Sequence, residues 1–106
     1  MPVRFLISTL QPDADPAAYE RWVLARDYPL VRSLPNYLDY RVHRIRTPIV
    51  GAEDAGWQYL ERIEVRSLAR HDADLASAAG TALREELYGQ FLERSKNIYF
   101  ATDPIE

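Results

Sequence analysis

Residues 37–46, Tyr-Leu-Asp-Tyr-Arg-Val-His-Arg-Ile-Arg, and residues 57–66, Trp-Gln-Tyr-Leu-Glu-Arg-Ile-Glu-Val-Arg, are alternating runs on either side of a loop marked by Pro48, Gly51 and Gly56. Period-two alternation reads as a pair of strands, and the intervening loop is longer than a tight hairpin needs. On the first strand, Leu38, Tyr40, Val42 and Arg44 share one side, and Tyr37, Asp39, Arg41, His43 and Ile45 the other. On the second, Trp57, Tyr59, Ile63 and Val65 form an apolar side that Glu61 interrupts. Opposite charges facing each other across strands stabilise by roughly 0.2–1 kcal/mol, and like charges destabilise. That rule favours the register setting Asp39 against Arg66, Arg41 against Glu64 and Arg44 against Glu61. A two-residue slip would oppose Arg41 to Arg62 and Asp39 to Glu64.

Working outward, Val3 to Leu10 is apolar and β-branched on both sides, as a central strand is. Asp15-Pro16 is a helix start, an aspartate N-cap followed by proline at the first helical position. Tyr19, Trp22, Val23 and Arg26 follow at helical spacing, and Asp27-Tyr28-Pro29 marks a kink or restart. After the hairpin, Ser67 caps a helix expected to run to Ala79, with Gly80-Thr81 as a break, and Leu83, Leu87 and Phe91 make an amphipathic stripe. Asn97 to Thr102 closes the chain as an apolar strand. The order βαββαβ is that of a ferredoxin-like α+β fold, with the first and third strands central. The exposed edge of Ile98, Tyr99 and Phe100, and a sheet face that helices leave bare, point to a homodimer.

The 106 residues suit one domain spanning 1–106. Thirteen basic and sixteen acidic side chains leave a net charge of −3, which disfavours nucleic acid as a partner. The chain has no cysteine, so thiolate and disulfide chemistry are excluded. No segment reaches the about 20 apolar residues of a membrane span. The N-terminal residues do not read as a secretory leader, so the expected location is cytoplasmic. No phosphate-binding glycine loop, zinc motif or serine elbow is present, and no cofactor is expected.

Tyr19-x-x-Trp22, Asp27-Tyr28-Pro29-Leu30-Val31, Leu34-Pro35 and Tyr40 together resemble the dimeric α/β-barrel superfamily, most closely its EthD-like and RedY-like members. The resemblance covers the whole chain in element order, and its specific part is residues 19–46. It implies paired sheets forming a shared barrel and a pocket in each subunit between sheet and helices. Its members include cofactor-free monooxygenases, isomerases, cyclases and haem enzymes, while RedY-like members look like accessory or tailoring proteins of pigment pathways. Where EthD-like enzymes place a catalytic histidine before the x-Pro step, this chain has Asp27.

The candidate site is therefore Asp27, Tyr40, Glu61 and Arg44. Asp27 either caps the restarted helix or faces the pocket. Tyr40 is either a core tyrosine or a donor to a developing oxyanion. Glu61 is paired with Arg44, or else desolvation raises its pKa and makes it an acid–base group. His43 is expected on the far sheet face, at the dimer interface. His71, beside Asp72 and Asp74, has a weak claim as a haem or metal ligand. Trp22, Trp57, Tyr59, Tyr28 and Tyr99 are expected mainly in the core, where a pocket lined by them suits a hydrophobic ring. Two functions stay open: a cofactor-independent isomerase, cyclase or monooxygenase acting on such a ring, and a non-catalytic ligand-binding or accessory dimer.

Overall fold

The computed structural model describes Met1–Glu106. Strand β1 (Val3–Ser8) leads to helix α1 (Pro16–Trp22), a π-helical turn (Val23–Asp27) and helix α2 (Tyr28–Arg32). Strands β2 (Tyr37–Arg44) and β3 (Tyr59–Val65) follow, then helices α3 (Leu68–Ala76) and α4 (Ala78–Gln90), a 3₁₀ turn (Arg94–Lys96) and strand β4 (Ile98–Thr102). The strands form one antiparallel sheet in the order β2-β3-β1-β4, a ferredoxin-like α+β fold with the first and third strands central, as expected. No helix is long and apolar enough to cross a membrane.

Local chemistry accounts for the first helical region. Asp15 caps α1 by accepting from the Ala17 N–H, with Pro16 at the first position. Pro29 has no N–H to continue an α-helical ladder, and the chain widens just before it: the Tyr28 N–H bonds to the Val23 carbonyl, five residues back. The helices pack on one sheet face. One cluster joins Tyr19, Val23, Leu87, Phe91 and Leu92 to Tyr59, and another joins Val31 and Leu83 to Tyr40, Ile63 and Val65. Trp57 precedes β3, half-buried and outside both clusters, contrary to its expected place in the strand and core.

The hairpin register corrects the charge-based expectation. Asp39 faces Glu64, Arg41 faces Arg62, Val42 faces Glu61 and Arg44 faces Tyr59, which is the slipped alternative. Arg62 relieves the opposed charges, donating diagonally across the hairpin to Asp39 at 3.0 Å and along its own strand to Glu64 at 3.3 Å. The penalty that disfavoured this register is thus removed, and the few tenths of a kcal/mol of exposed pairs do not outweigh core packing. A bulge between Tyr37 and Asp39 also shifts the faces. Tyr37 turns to the helix side, edge-on to Tyr40 and His71, while Leu38 faces out.

The break between the last helices falls at Ser77, not at Gly80-Thr81. Ser77 is extended (ψ 163°) and its hydroxyl accepts from the Gly80 N–H. Gly80 lies inside α4, where a Cβ would come within 2.2 Å of the Asp74 carbonyl oxygen and 2.9 Å of that of Leu75. Its role is to let the two helices approach. Alanine in a helix ordinarily gains about 1 kcal/mol over glycine. Gly80→Ala should instead destabilise the protein, by about 1–3 kcal/mol through overpacking, as measured by urea unfolding.

Candidate functional site

Three buried polar side chains from three elements meet between the sheet and the helices. Asp27 ends the π-helical turn, Tyr40 stands on β2 and Glu61 on β3, and they are 4%, 5% and 5% exposed. The Tyr40 hydroxyl lies 2.6 Å from Asp27 Oδ2 and 2.5 Å from Glu61 Oε1. The phenol has one proton to donate. Two hydrogen bonds along carboxyl, phenol and carboxyl therefore need a second proton, supplied by one carboxyl in its acid form. Burial raises Glu61 above its ordinary value of 4.5, and the charge of Asp27 raises it further, against the Tyr40 hydrogen bond. Burial also raises Asp27, opposed by the Tyr40 hydrogen bond and by the charges of Arg32 and Arg26. No cation eases Glu61 in the same way. We assign the extra proton to Glu61 and the charge to Asp27, and the two titrate as a pair.

The surrounding framework holds this arrangement. The Tyr28 hydroxyl accepts from the Val42 N–H at 2.8 Å and donates to the Val42 carbonyl at 3.3 Å, covering the open edge of β2. Arg32 donates to the Tyr40 carbonyl at 2.9 Å and stacks 3.7 Å over the Tyr28 ring. Asp27 Oδ1 and Glu61 Oε2 accept no hydrogen bond from the protein. Both residues line a cavity of about 280 Å³ whose walls include Leu6, Val31, Ile63, Leu83 and Leu87. Its far end carries His71, Arg84, Arg94, Asn97 and Tyr99.

The structure brings together Asp27, Tyr40 and Glu61, and leaves out Arg44. Arg44 is exposed and forms its ion pair with Glu20, which also accepts from the Tyr59 hydroxyl at 2.7 Å. The expected Arg44–Glu61 pair is absent because Glu61 faces Val42 in the actual register. Asp27 does not cap α2 either: its carboxylate accepts from Tyr40 and makes no cap hydrogen bond. His43 is exposed on the helix-free face. His71 is buried in the cavity wall with Nδ1 taken by Arg4 at 2.7 Å. No three His, Asp or Glu side chains are grouped to hold a metal ion. The cavity residues unrecognised in the sequence were Arg84, Arg94 and Asn97. Their one signal is position, on the helix and turn that lead into the last strand.

The sequence matches the family of REDY-like protein HapK over residues 2–105. The chain belongs to that family. No curated protein sequence matches it. Among solved structures, HapK from Hahella chejuensis superposes with a TM-score of 0.79 at 23% identity, covering 99% of this chain and 93% of that one. An EthD family protein from Bacillus halodurans gives 0.71 at 16% identity, over 99% and 100% of the two chains. Hydroxynitrile lyase from Passiflora edulis gives 0.73 at 9%, over 99% and 95%. These likenesses establish a shared fold, and in this HapK-family chain Asp27, Tyr40 and Glu61 are the polar residues that fold buries together.

A raised carboxyl binds its proton more tightly in the native than in the unfolded state. The stability it contributes is full below pH 4.5 and is lost as pH rises through the native pKa. Glu61→Gln keeps a donor toward Tyr40 and removes that loss. The variant should resist urea better than the wild type above neutral pH, with the difference shrinking toward pH 4.5. A difference independent of pH would contradict the assignment.

Proposed function

We propose that the cavity binds a hydrophobic ring compound and that Asp27, Tyr40 and Glu61 move a proton on it, in an isomerisation or cyclisation with no step that calls for a cofactor. The observation that carries this reading is the phenol held between two carboxyls, each with a free oxygen in the wall of one apolar cavity. Two carboxyls whose environments assign them different protonation states supply a base and an acid at the same pH. Asp27, as carboxylate, takes a proton from a carbon beside a carbonyl. The C–H electron pair moves into the enolate, and Glu61, its carboxyl rotated so that the protonated oxygen turns from Tyr40 into the cavity, delivers that proton to the carbonyl oxygen. Asp27 is then the acid and Glu61 the carboxylate. Passage of one proton from Asp27 to the Tyr40 oxygen, and of the phenolic proton to Glu61, restores the starting state. Tyr40 is thus both the relay and a hydrogen-bond donor that steadies whichever carboxylate is charged. Arg44 has no part in this scheme.

The test uses a carbon acid of suitable shape, 2-tetralone, whose α-proton exchange in D₂O is followed by NMR. Positioned acid–base groups contribute about 10²–10⁴-fold, so Asp27→Asn, Glu61→Gln and Tyr40→Phe should each slow the protein-catalysed exchange by about a hundredfold. Exchange no faster than in buffer, with 2-tetralone bound, would favour the non-catalytic ligand-binding reading. Exchange at wild-type rates in the three variants would remove these residues from the chemistry.

The active form is proposed to be a homodimer. Phe5 and Phe100 meet at 5.7 Å on the sheet face away from the helices, and Ile98 and Phe100 remain 39% and 42% exposed there. Charges of both signs, from Asp39, Arg41, Arg62 and Glu64, flank this strip. A patch that pairs both signs with an apolar centre is complementary to itself under two-fold symmetry. Sedimentation at micromolar concentration should give a dimer, and Phe100→Arg should shift it to monomer. A wild-type monomer at those concentrations would contradict the assembly.

A further inference from the structure

The far end of the same cavity gathers polar groups that the proton relay leaves idle. Arg84, on α4, donates from Nη2 to the Leu75 carbonyl at 2.8 Å, while its Nε–H is buried with no partner. Asn97 donates from Nδ2 to the Tyr88 hydroxyl at 2.8 Å, and its Oδ1 is likewise buried with no partner. His71 adds another donor. Its Nδ1 lies 2.7 Å from Arg4 Nη1, and a guanidinium can only donate, so the ring proton belongs on Nε2. Burial, reinforced by the charge of Arg4, lowers the pKa of His71 to about 4 and keeps the ring neutral. The resulting Nε2–H meets no protein acceptor. Arg94 lies on the same rim, its guanidinium 4.4 Å over the Tyr88 ring. Unpaired buried donors and acceptors carry a desolvation cost that a bound group of complementary chemistry would remove.

The sheet register sets the distance between the two ends. Glu61 faces Leu6, and Leu6 faces Tyr99, so acid–base end and polar end lie two strand spacings apart, about 10 Å. Two fused six-membered rings with one substituent fit that span. Charge sets the orientation. A negative group is repelled by the Asp27–Glu61 pair and attracted by Arg84 and Arg94, against the opposing charge of Asp74, which lies near His71 with its Oδ2 buried and unpartnered.

We infer that the β4 end of the cavity is a carboxylate subsite and that the ligand is a bicyclic aromatic acid with a hydroxyl beside its carboxylate. Arg84 Nε–H and His71 Nε2–H donate to the carboxylate, and Asn97 Oδ1 accepts from the ring hydroxyl. The far edge of the ring system then points at Asp27 and Glu61. This assignment rests on the ring-binding reading of the cavity and adds which end of the ring is held, and by what.

Calorimetric titration of the full chain with 3-hydroxy-2-naphthoate and with 2-naphthol tests it. A charge-assisted contact is worth about tenfold or more in affinity, so the acid should bind at least that much more tightly than the naphthol. Arg84→Met should bring the ratio of the two affinities close to one, and Arg84→Lys should recover part of it. Asn97→Asp, nearly isosteric, sets a carboxylate against the ligand's own and should reverse the ratio; it serves if Arg84→Met, deprived of its bond to Leu75, does not fold. Equal wild-type affinities for acid and naphthol, with 2-tetralone exchange intact, would overturn the subsite and leave the proton relay standing. An acid preference that Asn97→Asp leaves unchanged would also overturn it. An Arg84-dependent acid preference without exchange would uphold the subsite and overturn the relay. Failure of both naphthalenes to bind would overturn the subsite, and the relay with it where 2-tetralone exchange is no faster than in buffer.

Discussion

The phenolic proton of Tyr40 cannot satisfy two buried carboxylates at once, and much of the rest of the structure is arranged around that shortage. An isolated ionised carboxylate is too costly to keep in an apolar interior, so such groups become paired or neutral. Here Asp27 is eased by the charges of Arg32 and Arg26, which lie on the helical side, whereas Glu61 has only the phenol and the repelling charge of its neighbour. Sharing protons along the three oxygens is the arrangement left. It makes the site a store of one movable proton, which acid–base chemistry can use.

The backbone features that deliver these groups are departures from regularity. The π-helical turn before Pro29 aims Asp27 inward, and the bulge after Tyr37 brings a second tyrosine to the helix side of β2. Single π turns and bulges recur at functional sites because each re-aims side chains without disturbing the elements around it. Tyr28 and Arg32 then bind β2 to α2, so that the strand carrying Tyr40 is held on its otherwise open edge. The fold is shared with proteins as different as a hydroxynitrile lyase and an EthD family member. Function resides in such local devices more than in the fold they modify.

Much of this was readable in the residues themselves. Apolar character on both sides of Val3–Leu10 marked a central strand, Asp15-Pro16 marked the start of α1, and Glu61 stood out as a carboxylate on an apolar strand face. Pairing was what failed. Exposed charges, each worth a few tenths of a kcal/mol, are a weak guide to register, and Arg62 satisfies two acids from a position that counts against it. The charge-based register consequently points Glu61 to Arg44, whereas its partner is Tyr40 on the same face. Gly80 reads as a helix breaker, because a close crossing of two helices leaves no mark in a single sequence that distinguishes it from a break. Asn97 and Arg84 carry no signal beyond their position ahead of the last strand, since what distinguishes them is an unmet hydrogen bond inside a cavity.

The shared proton is open to direct observation by titrating the side-chain carboxyl carbons of Asp27 and Glu61 with ¹³C NMR, resonances being assigned with Asp27→Asn and Glu61→Gln. The account predicts that near neutral pH the two carbons report one acid and one carboxylate between them, with Glu61 retaining its proton well above 4.5. Two fully ionised carboxylates at neutral pH, titrating at or below 3.8 and 4.5, would contradict it.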